Sequence, residues 1–232
     1  YSIRLQTTDS GGETYVEVFT LSVNNLNETP TNFSLSTYSF NENITVDTTV
    51  AIIYGVDEDT SDTHTFSFLS GFIQSEGNSA FTIDGNKLKI RNLPDYETQS
   101  SYTIVIQATD ESGESSTGAY YRILYVNDLN ETPIDIDLGS TSFDENIAAA
   151  SVIAELSSID DDDGDTHTYA LVEGDGDTDN DSFSIDGSNL IINESPNYEA
   201  QESYSIRLQT TDGGGETYVE VFSLSVNDLN AP

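Results

Sequence analysis

The sequence predicts an all-β protein made of tandem antiparallel β-sandwiches, about seven short strands each, arranged end to end. Three observations predict it. The 232 residues repeat themselves with starts at Tyr1, Tyr102 and Tyr204, a spacing of about 100 residues that suits one sandwich module. Apolar and polar residues alternate at period two over short runs. Gly, Asp and Asn punctuate those runs, and no stretch carries a helical period of useful length.

The repeat is close to literal. YSIRLQTTDSGGETYVEVFTLSVNNLN at Tyr1–Asn27 returns as YSIRLQTTDGGGETYVEVFSLSVNDLN at Tyr204–Asn230, with changes only at Ser10/Gly213, Thr20/Ser223 and Asn25/Asp228. A diverged copy starts at Tyr102. Pro30, Pro133 and Pro232 follow the VN[ND]LN segment, and Pro94 and Pro196 precede [DN]YE. Cutting from one VN[ND]LN to the next predicts the C-terminal strand pair of a truncated upstream repeat at 1–26, a repeat at 27–128 and a second at 129–232. The partial first unit implies a longer natural protein.

Taken in order, the first expected strands are 1–8 and 13–23. Two strands cannot bury a core alone, so cover from a longer fibre or a second molecule is expected. Strands follow at 49–55, 63–69, 80–84 and 87–90, and again at 151–157, 166–172, 182–186 and 189–192. In the last pair Tyr204, Ile206 and Leu208 alternate with Ser205, Arg207 and Gln209, and Phe222, Leu224 and Val226 alternate with serines. Asp212–Gly215 between them reads as a tight turn, which makes a hairpin.

Charge narrows the function. Lys and Arg number 6 against 42 Asp and Glu, a net charge of −36. Nucleic acid and anionic membrane surfaces would be repelled. No run of about 18 apolar residues offers membrane insertion. The chain has no Cys, which removes disulfides and thiolate metal sites. No G-x-S-x-G elbow, H-E-x-x-H or paired-carboxylate cleft is present, so no catalytic residues, organic cofactor site or enzyme activity are expected.

The acids recur in five short places per repeat. These are FNEN and FDEN around Glu42 and Glu145; VDED at Val56–Asp59 and IDDDDGD at Ile159–Asp165; PDYE and PNYE, holding Asp95, Glu97 and Glu199; the ATD and TTD ends at Asp110 and Asp212; and the junctions at 25–28, 128–131 and 228–230. The ordered set resembles the cadherin repeat, with its Glu after the first strand, DxD, LDRE-type motif, AxD and DxNDNxP junction. The DLNETP and DGDTHTY wording most resembles cadherin-like tandem repeats of large bacterial surface adhesins. The resemblance covers 27–230, and 1–26 as the end of another copy.

What the resemblance implies is a cadherin- or Ig-like Greek key with Ca²⁺ at each junction. For the complete junction at 128–133 it implies Glu42, Asp95, Glu97, Asp128, Asn130 and Glu131 from above and Asp160, Asp162 and Asp212 from below. Ca²⁺ takes 6–8 hard oxygen ligands, and eight of these nine residues are carboxylates that would repel one another without a cation. Two or three ions are expected there. At the 25–30 junction Asn25 stands in place of Asp, and Asn27, Glu28, Asp57, Asp59 and Asp110 imply weaker or partial binding. Glu145, Glu199, Asp228 and Asn230 imply the upper half of a further site.

The implied function is a calcium-rigidified extracellular stalk or adhesion module at the cell surface, whose partners are neighbouring repeats, other copies, or a surface receptor or glycan. Direct homophilic or glycan-binding adhesion is one alternative, with Tyr120 and Tyr121 as candidate contacts. A calcium-independent acidic Ig-like spacer or fibre subunit is another. Smaller features have local readings. His64 and His167, both in DTHT, are expected to cap or pair locally. Lys87, Lys89 and Arg91 are expected on one exposed strand face that blunts a sheet edge. Asp175–Asp181 reads as a solvated turn or a weak extra Ca²⁺ loop.

Overall fold

A computed structural model describes residues 1–118, 120–162 and 164–229. The chain divides into two units, 1–94 with 101–125, and 95–100 with 126–232. Strands β1 (Ser2–Thr8) and β2 (Thr14–Thr20) form a separate two-stranded sheet within the first. The same unit then carries β3 (Asn32–Leu35), β4 (Ser39–Asn41), β5 (Thr49–Val56), β6 (Thr65–Phe68), β7 (Phe81–Asp84), β8 (Lys87–Ile90), β9 (Ser101–Thr109) and most of β10 (Tyr120–Asn127). They make two four-stranded sheets, ordered β3-β5-β8-β7 and β4-β10-β9-β6.

The second unit repeats the plan. β11 (Asp135–Leu138), β13 (Ser151–Ile159), β16 (Asn189–Ile192) and β15 (Phe183–Asp186) make one sheet in that order. β12 (Ser142–Asp144), β18 (Thr217–Asn227), β17 (Ser203–Thr211) and β14 (Thr168–Leu171) make the other. The all-β tandem sandwich expected from period-two alternation is what forms. In β17 the residues Tyr204, Ile206 and Leu208 point inward, meeting Leu224 and Val226 of β18 and Leu190 and Ile192 of β16. Burial of such side chains drives the sheets together. Matching aromatic trios, Phe40–Phe81–Tyr102 and Phe143–Phe183–Tyr204, sit in the two cores.

Three details differ from expectation. Among the described residues each sandwich has eight strands, because the first is split: the chain leaves one sheet after β11 and joins the other as β12, which pairs parallel to β18. Among the described residues two short 3-10 helices occur, Ile73–Ala80 and Asn180–Ser182. Side-chain bonding explains them better than periodicity does. Asn78 and Asn180 each donate to a carbonyl at the end of the preceding strand, Leu69 and Val172, and accept from an amide of the central strand, Val105 and Arg207. Finally, β8 lies between β5 and β7, so Lys87 and Lys89 blunt no edge, and Lys89 pairs with Asp84 at 2.6 Å.

Among the described residues no helix is long and apolar enough to cross a membrane.

Candidate metal centres

The hairpin turns place the first group of acids. Asp9, Asp110 and Asp212 each end a strand, and each accepts through Oδ1 the amide four residues on, from Glu13, Glu114 and Glu216. A glycine at positive φ, Gly12, Gly113 or Gly215, closes each turn, a conformation that costs other residues. In the latter two acids the second oxygen takes the junction asparagine. Asn27 Nδ2 donates to Asp110 Oδ2 at 3.0 Å, and Asn130 Nδ2 to Asp212 Oδ2 at 3.0 Å.

The Asp-x-Asp loops form the second frame. Glu28 N–H donates to Asp59 Oδ2 at 2.8 Å, and Glu131 N–H to Asp162 Oδ2 at 2.7 Å. Asp57 and Asp160 accept the amides of Asp59 and Asp162. Their other oxygens meet His64 Nε2 at 3.1 Å and His167 Nε2 at 2.9 Å. The local pairing expected of both histidines is therefore present, with the first aspartate of the Asp-x-Asp loop as the partner.

The two loops then diverge. In the first unit the Asn25 amide donates to Asp59 Oδ1. In the second, Asp128 occupies the corresponding place, and carboxylate oxygens of Glu97, Asp128 and Asp162 lie within 4.8 Å of one another. Asp160, Asp162 and Asp165 form another such group, sharing Asp162. Among the described residues no such group draws on Asp57, Asp59 or Asp110. Asp165 is a residue the sequence reading passed over. Its signal was the Asp-x-Asp-x-x-Asp-x-His spacing common to Asp57–His64 and Asp160–His167.

Glu145 is buried after β12, where Tyr198 N–H and Leu229 N–H donate to its two oxygens at 3.2 and 2.8 Å. It gathers with Glu199 and Asp228 within 4.8 Å. Asn230 lies outside the described residues. Glu42, the counterpart of Glu145 in the first unit, is likewise buried. Asp95 belongs to the second unit and caps its own turn, accepting from Thr98 N–H at 2.9 Å and Thr98 Oγ1 at 2.8 Å. The Asp175–Asp181 loop is pinned structurally: Asp179 accepts Gln201 Nε2 and Ser205 N–H. Among the described residues none of the close acid groups includes it.

Electrostatics follow these bonds. The Glu28 amide, then the Asn25 side chain, hold the Asp59 carboxyl below its ordinary range. Asn27 holds Asp110 down. Burial pushes Asp212 up, but Asn130 and the amides of Glu216, Gly215 and Gly214 outweigh it and lower it. Asp62, the counterpart of Asp165, is raised by burial and then by Asp59, Asp57 and Asp110. Glu28 is raised by burial and then by Asp59 and Glu58.

The spacing within these groups is one that a cation can fill. Ligand oxygens at about 2.3–2.6 Å from one Ca²⁺ lie at most about 5 Å apart, which matches the 4.8 Å groups. The donor atoms of these groups are all carboxylate oxygens, which suit a hard cation.

No protein-family model matches the chain. The chain is 26% identical over 246 residues to human protocadherin Fat 4, covering 99% of this chain and 5% of that protein. It is 25% identical to human protocadherin Fat 1 over 95% of this chain, again 5% of the relative. It thus spans only a small part of the curated relatives it matches. Among solved structures, human protocadherin-24 EC1-2 superposes with a TM-score of 0.65 at 20% identity, covering 88% of this chain and 100% of that one. The protocadherin GammaB4 extracellular domain gives 0.59 at 19%, covering 98% and 42%.

Proposed function

We propose that this chain of cadherin-like domains is a calcium-rigidified extracellular stalk or adhesion module of a larger surface protein. Its repeats run 27–128 and 129–232, and 1–26 is the end of another. The observation that carries the reading is the sharing of Asp162 between two close carboxylate groups. Ionised acids at that spacing repel strongly, and a divalent cation between them turns the repulsion into a tether. Where Asn25 replaces the acid, an amide hydrogen bond to Asp59 takes over, which supports weaker binding at the 25–30 junction.

In this reading Glu97, Asp128, Asp160, Asp162, Asn130 and Asp212, with Glu42, Asp95 and Glu131, serve two or three Ca²⁺. Glu145, Glu199 and Asp228 serve a further site. Asp57, Asp59, Asp110, Asn27 and Glu28 serve the weaker one. Bound Ca²⁺ supplies positive charge that ties strand ends of one repeat to loops of the next. Extracellular modules bind Ca²⁺ at about 10⁻⁴–10⁻³ M, so the stalk stiffens outside the cell. The role is mechanical, not enzymatic. The DLNETP and DGDTHTY wording supports a bacterial surface protein.

The test is small-angle X-ray scattering in millimolar Ca²⁺ and then in EGTA, with Asp162→Ala as control. A longer, narrower particle in Ca²⁺, lost in EGTA and in the variant, is expected. Superimposable curves would leave an acidic spacer instead.

One observation favours a second reading, direct adhesion. Tyr121, Ile123 and Tyr125 expose one face of β10, where the second unit has Val221, Ser223 and Ser225. Exposed aromatics of this kind suit glycan binding. Loss of glycan-array signal in Tyr121→Ser/Tyr125→Ser would support it.

A further inference from the structure

We infer that His64 and His167 are positioning residues for calcium: each holds the first aspartate of its Asp-x-Asp pair in ligating orientation and is not itself a ligand. The inference rests on the calcium reading above and adds a residue type that reading does not use.

The geometry recurs in both units. His64 Nε2 is 3.1 Å from Asp57 Oδ2, and His167 Nε2 is 2.9 Å from Asp160 Oδ2. The side chains are nearly closed to solvent, 10% and 1% exposed in the first pair and 12% and 3% in the second. An ionised carboxylate only accepts hydrogen bonds, so Nε2 must carry the proton in each pair. A protonated nitrogen has no lone pair for a metal, and that removes Nε2 from any coordination shell.

Each aspartate is thereby held at both oxygens. Oδ1 accepts the backbone amide two residues on, at 3.1 Å in Asp57 and 3.3 Å in Asp160, while Oδ2 takes the imidazole. A carboxylate oxygen has two lone pairs, so each oxygen keeps one for a cation. Without the imidazole only the amide bond at Oδ1 would restrain the carboxylate's last torsion, and more of its freedom would have to be lost on binding.

The His64 ring is itself fixed by packing. It stacks beside Phe66 with centroids 6.5 Å apart. It also fills the space over Gly55, where a Cβ would sit 2.5 Å from the ring. The spacing is legible in the sequence: Asp57 to His64 and Asp160 to His167 are each seven residues, and these are the chain's 2 histidines.

The test is calorimetric Ca²⁺ titration of the full chain beside thermal melting in EGTA, for wild type, His167→Phe, His167→Gln and Asp160→Asn. Phe keeps the ring and removes the donor. His167→Phe is expected to weaken Ca²⁺ at its site by about 10–100-fold, as loss of an outer-shell hydrogen bond does, with the metal-free melt unchanged. His167→Gln, which keeps an N–H donor, is expected to recover part of the affinity. Unchanged affinity in His167→Phe would overturn the inference. So would an affinity loss matched by a collapse of the metal-free melt, since the histidine would then be structural. A wild type that binds no Ca²⁺ in the millimolar range would instead remove the calcium reading, and the positioning role with it.

Discussion

Residues 1–27 and 204–230 differ at three positions, and 2–20 and 205–223 fold into the same hairpin, yet in this chain their surroundings are opposite. The register is shared: Ile3 faces Phe19 as Ile206 faces Phe222, and Leu5 faces Glu17 as Leu208 faces Glu220. The Asp-capped turn is shared too. Ile206 and Leu208 are 0% exposed, whereas Ile3 and Leu5 are 40% and 55% exposed. Hairpin formation is therefore local. Burial is supplied by whatever sheet lies on the apolar face, which for the second hairpin is β11-β13-β16-β15.

The largest test of that contrast is truncation in the core. Leu208→Ala is expected to cost about 3 kcal/mol, the usual range for a fully buried leucine. Leu5→Ala is expected to cost within about 0.5 kcal/mol. Urea unfolding followed by tyrosine fluorescence measures both. An equal loss at Leu5 would show that something covers the first hairpin in solution.

The next pair is Thr210 and Thr7. Thr210 Oγ1 lies 2.7 Å from Ser158 Oγ, which also reaches Tyr169 Oη at 3.1 Å. Thr210→Val strands part of that half-buried network and is expected to cost about 1 kcal/mol. Thr7→Val, on an exposed strand, is expected to change nothing measurable. In the first unit the same three places hold Gly55, Phe66 and Ala108, an apolar solution that needs no hydrogen bonds. Removing all three partners with Ser158→Gly/Tyr169→Phe/Thr210→Ala is accordingly expected to cost less than the sum of the single changes.

The smallest effect separates Glu220 from Glu17. Burial, and then the Asp135 carboxyl beside it, push the Glu220 carboxyl above its ordinary range. The folded state then binds the proton more tightly than the unfolded one. Ionised Glu220 destabilises at neutral pH, and the cost is relieved as pH falls through its raised value. Glu220→Gln is expected to raise the melting temperature at pH 7 by a few degrees, about 1 kcal/mol, with the gain vanishing in acid. Glu17→Gln is expected to be neutral at every pH. A pH-independent gain at position 220 would mean that packing, not charge, is responsible.

Much of this was readable from residues alone. Alternation placed β17 and β18, and the Asp-Gly turn between them, because side-chain direction in a strand has period two. The recurring acid motifs marked Asp160, Asp162, Asp128 and Glu97, carboxylates that the fold brings into close groups, because repeated motifs leave a compositional trace. Less readable were the parts set by contacts distant in sequence. The transfer of the first strand between sheets, seen in β11 and β12, leaves no periodic mark. Asp165 was hidden inside a run of acids where any member could serve. The histidines were read as local partners, but nothing in DTHT says that the partner is an aspartate seven residues earlier.

By itself the sequence determined the all-β class and the hairpin with its Asp-Gly turn, since these depend on neighbours along the chain, and its composition offered a list of acids as candidates to meet a cation. Only the tertiary structure decided which sheet covers the second hairpin, which carboxylates close to within 4.8 Å, and which oxygen of Asp160 faces His167. Those outcomes depend on separations of a few ångströms between segments up to about 80 residues apart, and local propensity carries no information about such distances.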